Sequence, residues 1–347
     1  MKYSFKNDYS EGAHPEILEA LLKTNEVQQT GYGEDAYSLQ AKMLIKQHLN
    51  MDSDVFFVSG GTQANLTFIS AVLKPYQSVI SAETGHIFHH ETGAIEATGH
   101  KIETIGTLDG KLTPELIAVH LTKSEPVHMT MPAMVYISNS TELGTFYTKD
   151  ELIALWQFCQ QRHLFLFMDG ARLASGLAAG GLTLEDVAKH TDAFYIGGTK
   201  NGALIGEAIV INNVMLQQDF VYNMKMRGAL LAKGRLLGIQ FLVLFKNNLF
   251  FELGLHANKM AARLSDGIEA LGYEFLTNSK TNQIFPVFAN EVAAKLREHY
   301  EFYDWLKINE ERTAVRLVTS WFTKENTIDE FITDLKGIND NDRSINL

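Results

Sequence analysis

Four apolar runs of this 347-residue chain end in residues that could do chemistry. These are Gly60, Gly61 and Thr62 after "VFFVS", His86 after "SVISA", Asp169 at the end of "LFLFMD", and Lys200 after "AFYIGGT". In open α/β sheets, ligands bind beyond the carboxyl ends of the strands. If the four runs are strands of one sheet, we expect their terminal residues to meet at one edge.

The turn "SGGTQAN", residues 59–65, could bind a phosphate group. Glycines let backbone N–H groups approach an anion, and the N-terminus of the following helix adds partial positive charge. A tight strand-to-helix turn would explain the same residues, because the spacing matches neither the Walker nor the Rossmann pattern. The sequence leaves both interpretations open.

A cluster of imidazoles occupies the segment "HIFHHE". His86 and His90 are four residues apart, as in some helical metal sites, but no second pair with zinc spacing occurs elsewhere. We therefore expect no metal. An imidazole stacked on an aromatic ring is the functional interpretation of His86, and partly buried structural histidines are the interpretation of His89 and His90.

Asp169 and Lys200 can each be interpreted as a structural residue or as a residue that takes part in chemistry. A carboxylate at the end of an apolar strand must be paired or hydrogen-bonded. Asp169 could form a structural ion pair with Arg172, or each could contact a ligand. Lys200 could be an exposed loop lysine, or a desolvated amine of lowered pKa that attacks a carbonyl.

The order of these signals favours the chemical interpretation. A phosphate turn, a histidine, a strand-terminal aspartate and, 200 − 169 = 31 residues later, a lysine are the parts that a pyridoxal phosphate (PLP) site needs. They would serve as anion cradle, ring stack, partner of the pyridinium nitrogen and Schiff-base lysine.

Seven short β-rich runs, most of them continuously apolar, must position these residues. They cover residues 55–59, 78–82, 101–105, 134–138, 164–169, 193–197 and 207–211. Helix starts lie between several of them, at Thr113 before a proline, at Thr148 with Glu151 as a capping box, and at Thr183. The alternation predicts an α/β fold whose mostly parallel central sheet has helices on both faces.

Composition narrows the class of protein. A net charge of −11 without a basic stripe argues against nucleic acid and anionic membranes as partners. The one cysteine, Cys159, cannot form an intrachain disulfide, and the N-terminus lacks an apolar signal region, so we expect a cytoplasmic protein. The most apolar stretch carries Lys233 and Arg235, so we expect no membrane span.

The chain resembles the low-specificity L-threonine aldolases, within the aspartate aminotransferase-like (fold type I) PLP enzymes. The motifs "GYGEDAYSLQ", "GGTQANL", "HIFHHETGA", "MDGARL" and "GGTKNGALIGEAIVI" carry this resemblance over nearly the whole length. It implies that Lys200 binds PLP covalently, Asp169 pairs with the ring nitrogen and His86 stacks on the ring. The other implied cofactor contacts are Gly60, Gly61, Thr62, Arg172 and Thr199.

The resemblance also implies substrate contacts, assembly and domains. Arg172 and Arg316 match the arginines that bind the substrate carboxylate, and Asn7 lies near that carboxylate. Tyr32 belongs to a segment that reaches an active site, in some relatives that of a neighbouring subunit, so a homodimer or homotetramer with sites at the interface is expected. We expect an N-terminal segment (1–25), a large PLP-binding domain (26–245) and a small C-terminal α+β domain (246–347).

One position departs from the family pattern. In "NSTELG", Glu142 stands where several relatives have a histidine near the substrate's β-carbon. The implied reaction is reversible cleavage of a β-hydroxy-α-amino acid to glycine and an aldehyde, with Glu142, His86 or a water as base. The alternatives are β-elimination or transamination on the same scaffold, a non-catalytic PLP-binding or regulatory protein and, more weakly, a metal-dependent hydrolase at the His86 cluster.

Overall fold

A computed structural model describes residues 2–345 of the chain, and its side chains up to residue 339. The strands are β1 (Tyr3–Ser4), β2 (Asp54–Val58), β3 (Gln77–Ala82), β4 (Lys101–Ile105), β5 (Met131–Ser138), β6 (Phe165–Asp169), β7 (Ala193–Gly197), β8 (Glu207–Ile211), β9 (Gln283–Ile284), β10 (Val287–Ala289), β11 (Tyr300–Glu301), β12 (Tyr303–Lys307) and β13 (Arg312–Val318). The α-helices are α1 (Pro15–Thr24), α2 (Ala36–Leu49), α3 (Gly61–Val72), α4 (His86–His89), α5 (Pro114–Leu121), α6 (Lys149–Gln161), α7 (Leu173–Gly180), α8 (Leu184–Lys189), α9 (Phe220–Met226), α10 (Arg235–Lys246), α11 (Leu249–Ala270), α12 (Asn290–Leu296) and α13 (Glu325–Ile345).

Seven strands form the central sheet, in the order β2-β8-β7-β6-β5-β3-β4. The strands β3 to β7 run parallel to their neighbours within that group, and β8 is antiparallel to both β2 and β7. All seven runs identified in the sequence are strands of this sheet. The prediction of a mostly parallel sheet is confirmed.

Helices cover both faces of this sheet, which explains why its strands are apolar on both sides. Phe68 of α3 meets Phe167 of β6, with ring centroids 4.4 Å apart, in the core of one face. Phe57 of β2 stacks on Phe241 of α10 at 5.0 Å in the core of the other. The parallel pairing of β5, β6 and β7 brings their carboxyl ends to one edge of the sheet.

The predicted helix starts are also observed. The side chains of Thr113, Thr148 and Thr183 each accept a hydrogen bond from a backbone N–H of the helix that follows. Thr148 and Glu151 form the predicted capping box, and Thr183 forms another with Asp186. These caps satisfy N–H groups that the first turn of a helix leaves free.

The C-terminal part has its own core, to which the N-terminus contributes. Strand β13 pairs with β9, β10 and β12 in an antiparallel sheet, and Phe5 is buried with residues of α11, α12 and α13. Strand β1 pairs with β11, and Phe5 O accepts a hydrogen bond from Val318 N at 2.9 Å. The domain boundaries given above stay a prediction.

No single helix within residues 2–345 is long and apolar enough to cross a membrane. The helices α10 and α11 meet the criteria of length and composition only as a pair, and they are bent by 74° at their junction.

Candidate active site

The glycine turn forms the N-terminus of α3. Gly60 is extended and caps the helix, which begins at Gly61. Within residues 2–345, the backbone N–H groups of Gly61 and Thr62 donate no hydrogen bond. A Cβ on Gly61 would lie 2.9 Å from the hydroxyl oxygen of Tyr195, so this position needs glycine. Free N–H groups at a helix N-terminus suit an anion.

Asp169 is fully enclosed at the end of β6 by four hydrogen-bond donors. Its Oδ1 accepts from the Tyr195 hydroxyl at 2.5 Å and from Ala171 N at 2.9 Å. Its Oδ2 accepts from the Tyr136 hydroxyl at 2.5 Å and from Asn65 Nδ2 at 3.2 Å. Burial alone would raise the pKa of Asp169, but the nearby His86 and these donors hold it below its usual value. Asp169 is therefore an ionised carboxylate.

Sequence reasoning missed the two tyrosines. Tyr136 and Tyr195 lie in β5 and β7, on either side of β6, and both are fully buried. A tyrosine inside an apolar strand needs a buried hydrogen-bond partner for its hydroxyl. The presence of a tyrosine in each of these strands could therefore have indicated a buried polar group nearby. Burial and the negative charge of Asp169 raise the pKa of both hydroxyls well above the ordinary value, so both keep their hydrogens and donate.

His86 begins the short helix α4 and is held through Glu91. Its Nδ1 lies 2.9 Å from Oε1 of Glu91, and that oxygen also accepts from Asn65 Nδ2 at 2.7 Å. The Glu91 side chain is fully buried, and that of His86 is 34% exposed. Asn65 therefore bridges Glu91 to Asp169, which joins His86 and Asp169 in one network.

The neighbouring histidines differ from the prediction. His89 and His90 are exposed, and the expectation of a partly buried structural residue is wrong for His89, whereas burial still lowers the pKa of His90. Among residues 2–345, no group of three or more His, Cys, Asp or Glu side chains is arranged to hold a metal ion. The hypothesis of a metal-dependent hydrolase at this cluster has no support in the geometry.

Glu142 follows β5 and lies beside His86. Its Oε1 accepts from His86 N at 3.0 Å and from the Ser138 hydroxyl at 2.8 Å. No other residue donates to its Oε2 within the described residues, although its own backbone N–H bonds to the carboxylate. Burial, reinforced by the negative charge of Asp169, raises the pKa of Glu142 above the ordinary carboxyl value. A carboxylate with a raised pKa is a stronger base than an ordinary one, which suits it to accept a proton.

Lys200 lies just beyond β7 with a largely enclosed amine. Burial and the positive charge of Arg172 lower its pKa, although nearby carboxylates act in the opposite direction. Within residues 2–345 its Nζ makes no hydrogen bond or ion pair and lies 5.9 Å from the centre of the Tyr9 ring. An amine in this state is a better nucleophile than an exposed lysine.

The loop around Lys200 is fixed by polar contacts on both sides. Gly206 N donates to Thr199 Oγ1 at 3.0 Å, and Gly198 N donates to Glu207 Oε2 at 2.9 Å. Burial raises the pKa of Glu207 to about 8. Thr199, expected as a cofactor contact, thus uses its hydroxyl oxygen to hold the loop.

Arg172 has a different partner from the one considered in the sequence. It forms a two-pronged ion pair with Asp8, from Nε to Oδ2 at 2.7 Å and from Nη2 to Oδ1 at 3.0 Å. Asn282 donates a further bond to Asp8 at 2.9 Å. The alternative of a structural Asp169–Arg172 pair is therefore wrong. Sequence spacing could not identify Asp8 as the partner, because Asp8 and Arg172 are 164 residues apart.

Arg316 lies in β13 and has N–H groups that could donate further hydrogen bonds. Its guanidinium carbon lies 5.6 Å and 5.1 Å from the ring centres of Tyr303 and Trp305, and Nη2 donates to Lys6 O at 3.3 Å. Its buried Nε has no partner within residues 2–345. Burial and the positive charge of Arg172 lower the pKa of Arg316. A bound carboxylate would offset this effect by pairing with the guanidinium group.

Asn7 and Tyr32 do not join this cluster in the single chain. Asn7 Oδ1 accepts from Tyr9 N and from the Ser10 hydroxyl, each at 3.0 Å, within a local turn. Tyr32 is 48% exposed, and the Lys225 amine lies 4.5 Å from its ring centre. The roles assigned to both residues stay predictions.

Comparison with known proteins identifies the family. The family model of the beta-eliminating lyases matches residues 6–291. The chain belongs to the beta-eliminating lyase family. Within this family it is 32% identical to the low specificity L-threonine aldolase of Pseudomonas sp. strain NCIMB 10558, over 96% of this chain and 97% of that protein. It is 48% identical to a threonine aldolase of Leishmania major of known structure, with a TM-score of 0.95 over 97% of this chain and 99% of that one.

More distant structures share the beta-eliminating lyase fold. A Thermus thermophilus aspartate aminotransferase is 15% identical, with a TM-score of 0.69 over 96% of this chain and 90% of that one. A serine palmitoyltransferase solved with PLP is 12% identical, with a TM-score of 0.70 over 97% and 86%. The expected fold type I architecture and the threonine aldolase resemblance are confirmed.

Proposed function

We propose that this protein is a PLP-dependent aldehyde-lyase. It would cleave L-threonine, L-allo-threonine and related β-hydroxy-α-amino acids reversibly to glycine and an aldehyde. Similarity to threonine aldolases over almost the whole chain supports this reaction over β-elimination, transamination or a non-catalytic role. The observation that carries the proposal is the Lys200 amine, which is enclosed, without a polar partner within residues 2–345, and of lowered pKa.

The residues around Lys200 fit PLP. The free N–H groups of Gly61 and Thr62 suit its phosphate, and the ionised Asp169 suits a protonated ring nitrogen. The partly exposed His86 ring offers a flat surface, and Lys200 offers the amine that PLP needs. When bound, PLP supplies an electron-withdrawing ring that stabilises the negative charge left at Cα.

The chain's own side chains would bind and orient the substrate. Arg316 has an unpartnered buried Nε, and Arg172 keeps the N–H groups that Asp8 does not use. These two guanidinium groups lie near enough for each to feel the other's charge, and one substrate carboxylate would balance that charge.

Glu142 is the residue that we assign as the base. Its pKa is raised, its Oε1 is anchored and its Oε2 accepts from no other residue within the described residues, so it could accept the proton of the substrate's β-hydroxyl group. Loss of that proton accompanies cleavage of the Cα–Cβ bond and release of the aldehyde. His86, whose Nδ1 is committed to Glu91, would cover the ring.

An assay of the purified protein with PLP and L-threonine tests the reaction. We expect glycine and acetaldehyde in equal amounts and a visible absorbance band of the bound cofactor. Lys200→Ala should abolish both, because no other enclosed amine lies at this site within the described residues. Pyruvate with ammonia, or a keto acid, would indicate one of the alternative reactions. An unchanged spectrum in the Lys200→Ala protein would overturn the cofactor assignment.

We also propose that the protein is a homodimer or homotetramer. The surface around Tyr32 supports this, because Tyr32, Val221, Tyr222 and Met226 are exposed apolar side chains of one region, and Tyr32 and Val221 line the same depression. Patches of exposed apolar side chains often mark interfaces. We name these four residues the Tyr32 face.

Light scattering tests this assembly. Tyr222→Asp places a charge on the Tyr32 face and should lower the measured mass towards that of one chain. Leu108→Asp is the matched control, because Leu108 is fully exposed and is not part of that face. An unchanged mass in the Tyr222→Asp protein would exclude this face as the interface.

We propose the cytoplasm as its compartment. The single cysteine, which is buried and whose pKa burial raises to about 12, supports a protein that does not depend on disulfides. Fractionation of cells with an antibody against the chain tests this, and recovery outside the cytoplasm would refute it.

A further inference from the structure

Four donors hold the Asp169 carboxylate, two at each oxygen. Tyr195 and Ala171 donate to Oδ1, and Tyr136 and Asn65 donate to Oδ2. The two tyrosine hydroxyls make the shortest bonds, at 2.5 Å each, and Asn65 makes the longest, at 3.2 Å.

We propose that Tyr136 and Tyr195 are positioning residues that keep Asp169 ionised, so that the proton shared with the cofactor's ring nitrogen stays on the nitrogen. The inference rests on the proposed function, since it concerns the same PLP site. It adds two residues that neither the motifs nor the strand-end pattern identified.

The physical reason is a competition between two ways of placing one proton. In a buried site, a carboxylic acid beside an unprotonated ring nitrogen competes with a carboxylate beside a protonated one, because low polarity disfavours separated charges. Hydrogen bonds to the carboxylate favour its charged form. Tyr136 and Tyr195 are fully buried and their pKa values are raised, so both hydroxyls remain donors.

The glycine turn lies next to the Tyr195 hydroxyl and leaves space for it. A Cβ on Gly61 would approach that oxygen to 2.9 Å, so the absence of a side chain at Gly61 leaves it room. The same hydroxyl therefore touches the turn assigned to the phosphate and the carboxylate assigned to the ring nitrogen. Tyr195 links the two ends of the proposed PLP site.

Removal of each hydroxyl tests the inference. Tyr136→Phe and Tyr195→Phe keep the ring and delete the donor. Tyr147→Phe is the matched control, because Tyr147 is equally buried but accepts from Leu112 N at 2.7 Å, away from Asp169. Each protein would be loaded with PLP that carries an isotope label at the ring nitrogen, whose NMR chemical shift reports its protonation. Thermal unfolding would confirm that each variant folds.

We expect a protonated ring nitrogen in the unaltered protein and in Tyr147→Phe. In Tyr136→Phe and Tyr195→Phe, the ratio of protonated to unprotonated nitrogen should fall by about 10- to 100-fold, the usual worth of a hydrogen bond to a charged group. If one variant does not fold, the other decides. A folded tyrosine variant with the unaltered signal would overturn the inference and leave the proposed function standing. Absence of covalent PLP at Lys200 in the unaltered protein would overturn both.

Discussion

Asp169 and Glu142 are carboxylates at the ends of neighbouring strands, and their surroundings move their pKa values in opposite directions. Asp169 ends β6 and accepts four hydrogen bonds over both oxygens. Glu142 follows β5 and accepts two from other residues, both at Oε1. The strands are in register here, with Ser138 opposite Asp169. Burial acts on both groups, yet the pKa of Asp169 is lowered and that of Glu142 is raised.

The comparison shows that the number of hydrogen-bond donors, more than the extent of burial, decides whether the pKa of a buried carboxyl group is raised or lowered. A carboxylate that accepts several hydrogen bonds keeps its charge and can hold a cation. A carboxylate with fewer donors and a negative neighbour gains a proton more readily. The site thus contains a fixed charge in Asp169 and a proton acceptor in Glu142.

The largest effect should come from the proton acceptor. Glu142→Gln keeps the shape and removes the ability to take a proton, so turnover of L-threonine or L-allo-threonine should fall by about 10²- to 10⁴-fold. Steady-state rates with a check of cofactor absorbance measure this. Near-normal turnover would assign the role to His86 or to water.

Removal of the negative charge of Asp169 should reduce the turnover rate slightly less. Asp169→Asn leaves the ring nitrogen without an anionic partner, and breaking a buried ion pair costs about 3–5 kcal/mol. At tenfold per about 1.4 kcal/mol, kcat should fall by about 100- to 4,000-fold. The variant should also retain less PLP after dialysis. Full activity with full cofactor content would contradict the role of Asp169.

A smaller change should move the pH dependence alone. Ser138 donates to Glu142 at 2.8 Å and lowers its pKa, so Ser138→Ala should raise that pKa further. The acid limb of the rate profile should then shift to higher pH, with the maximal rate nearly unchanged. Ser140→Ala is the control, because the Ser140 hydroxyl has no partner within residues 2–345. Identical profiles for Ser138→Ala and the unaltered protein would show that this bond does not tune Glu142.

The strands and the strand-end residues could be predicted because local signals define them. Continuous apolar runs with capped helices between them predict a covered sheet, and the sheet brings the ends of β6 and β7 together. The charged network could not be predicted in the same way. Asp8 and Arg172 are 164 residues apart in sequence, and Tyr136 and Tyr195 converge on Asp169 from two different strands. Such contacts depend on tertiary packing, which spacing in one sequence does not encode.

The pH dependence of kcat/KM, compared between the unaltered protein and Glu142→Gln, tests the central claim most directly. As the pH falls through the raised pKa of Glu142, the carboxylate gains a proton and can no longer accept one. The unaltered protein should therefore lose activity on an acid limb that lies above the ordinary carboxyl range. The residual activity of Glu142→Gln should lack that limb. The same acid limb in both proteins would contradict the assignment of Glu142 as the proton acceptor.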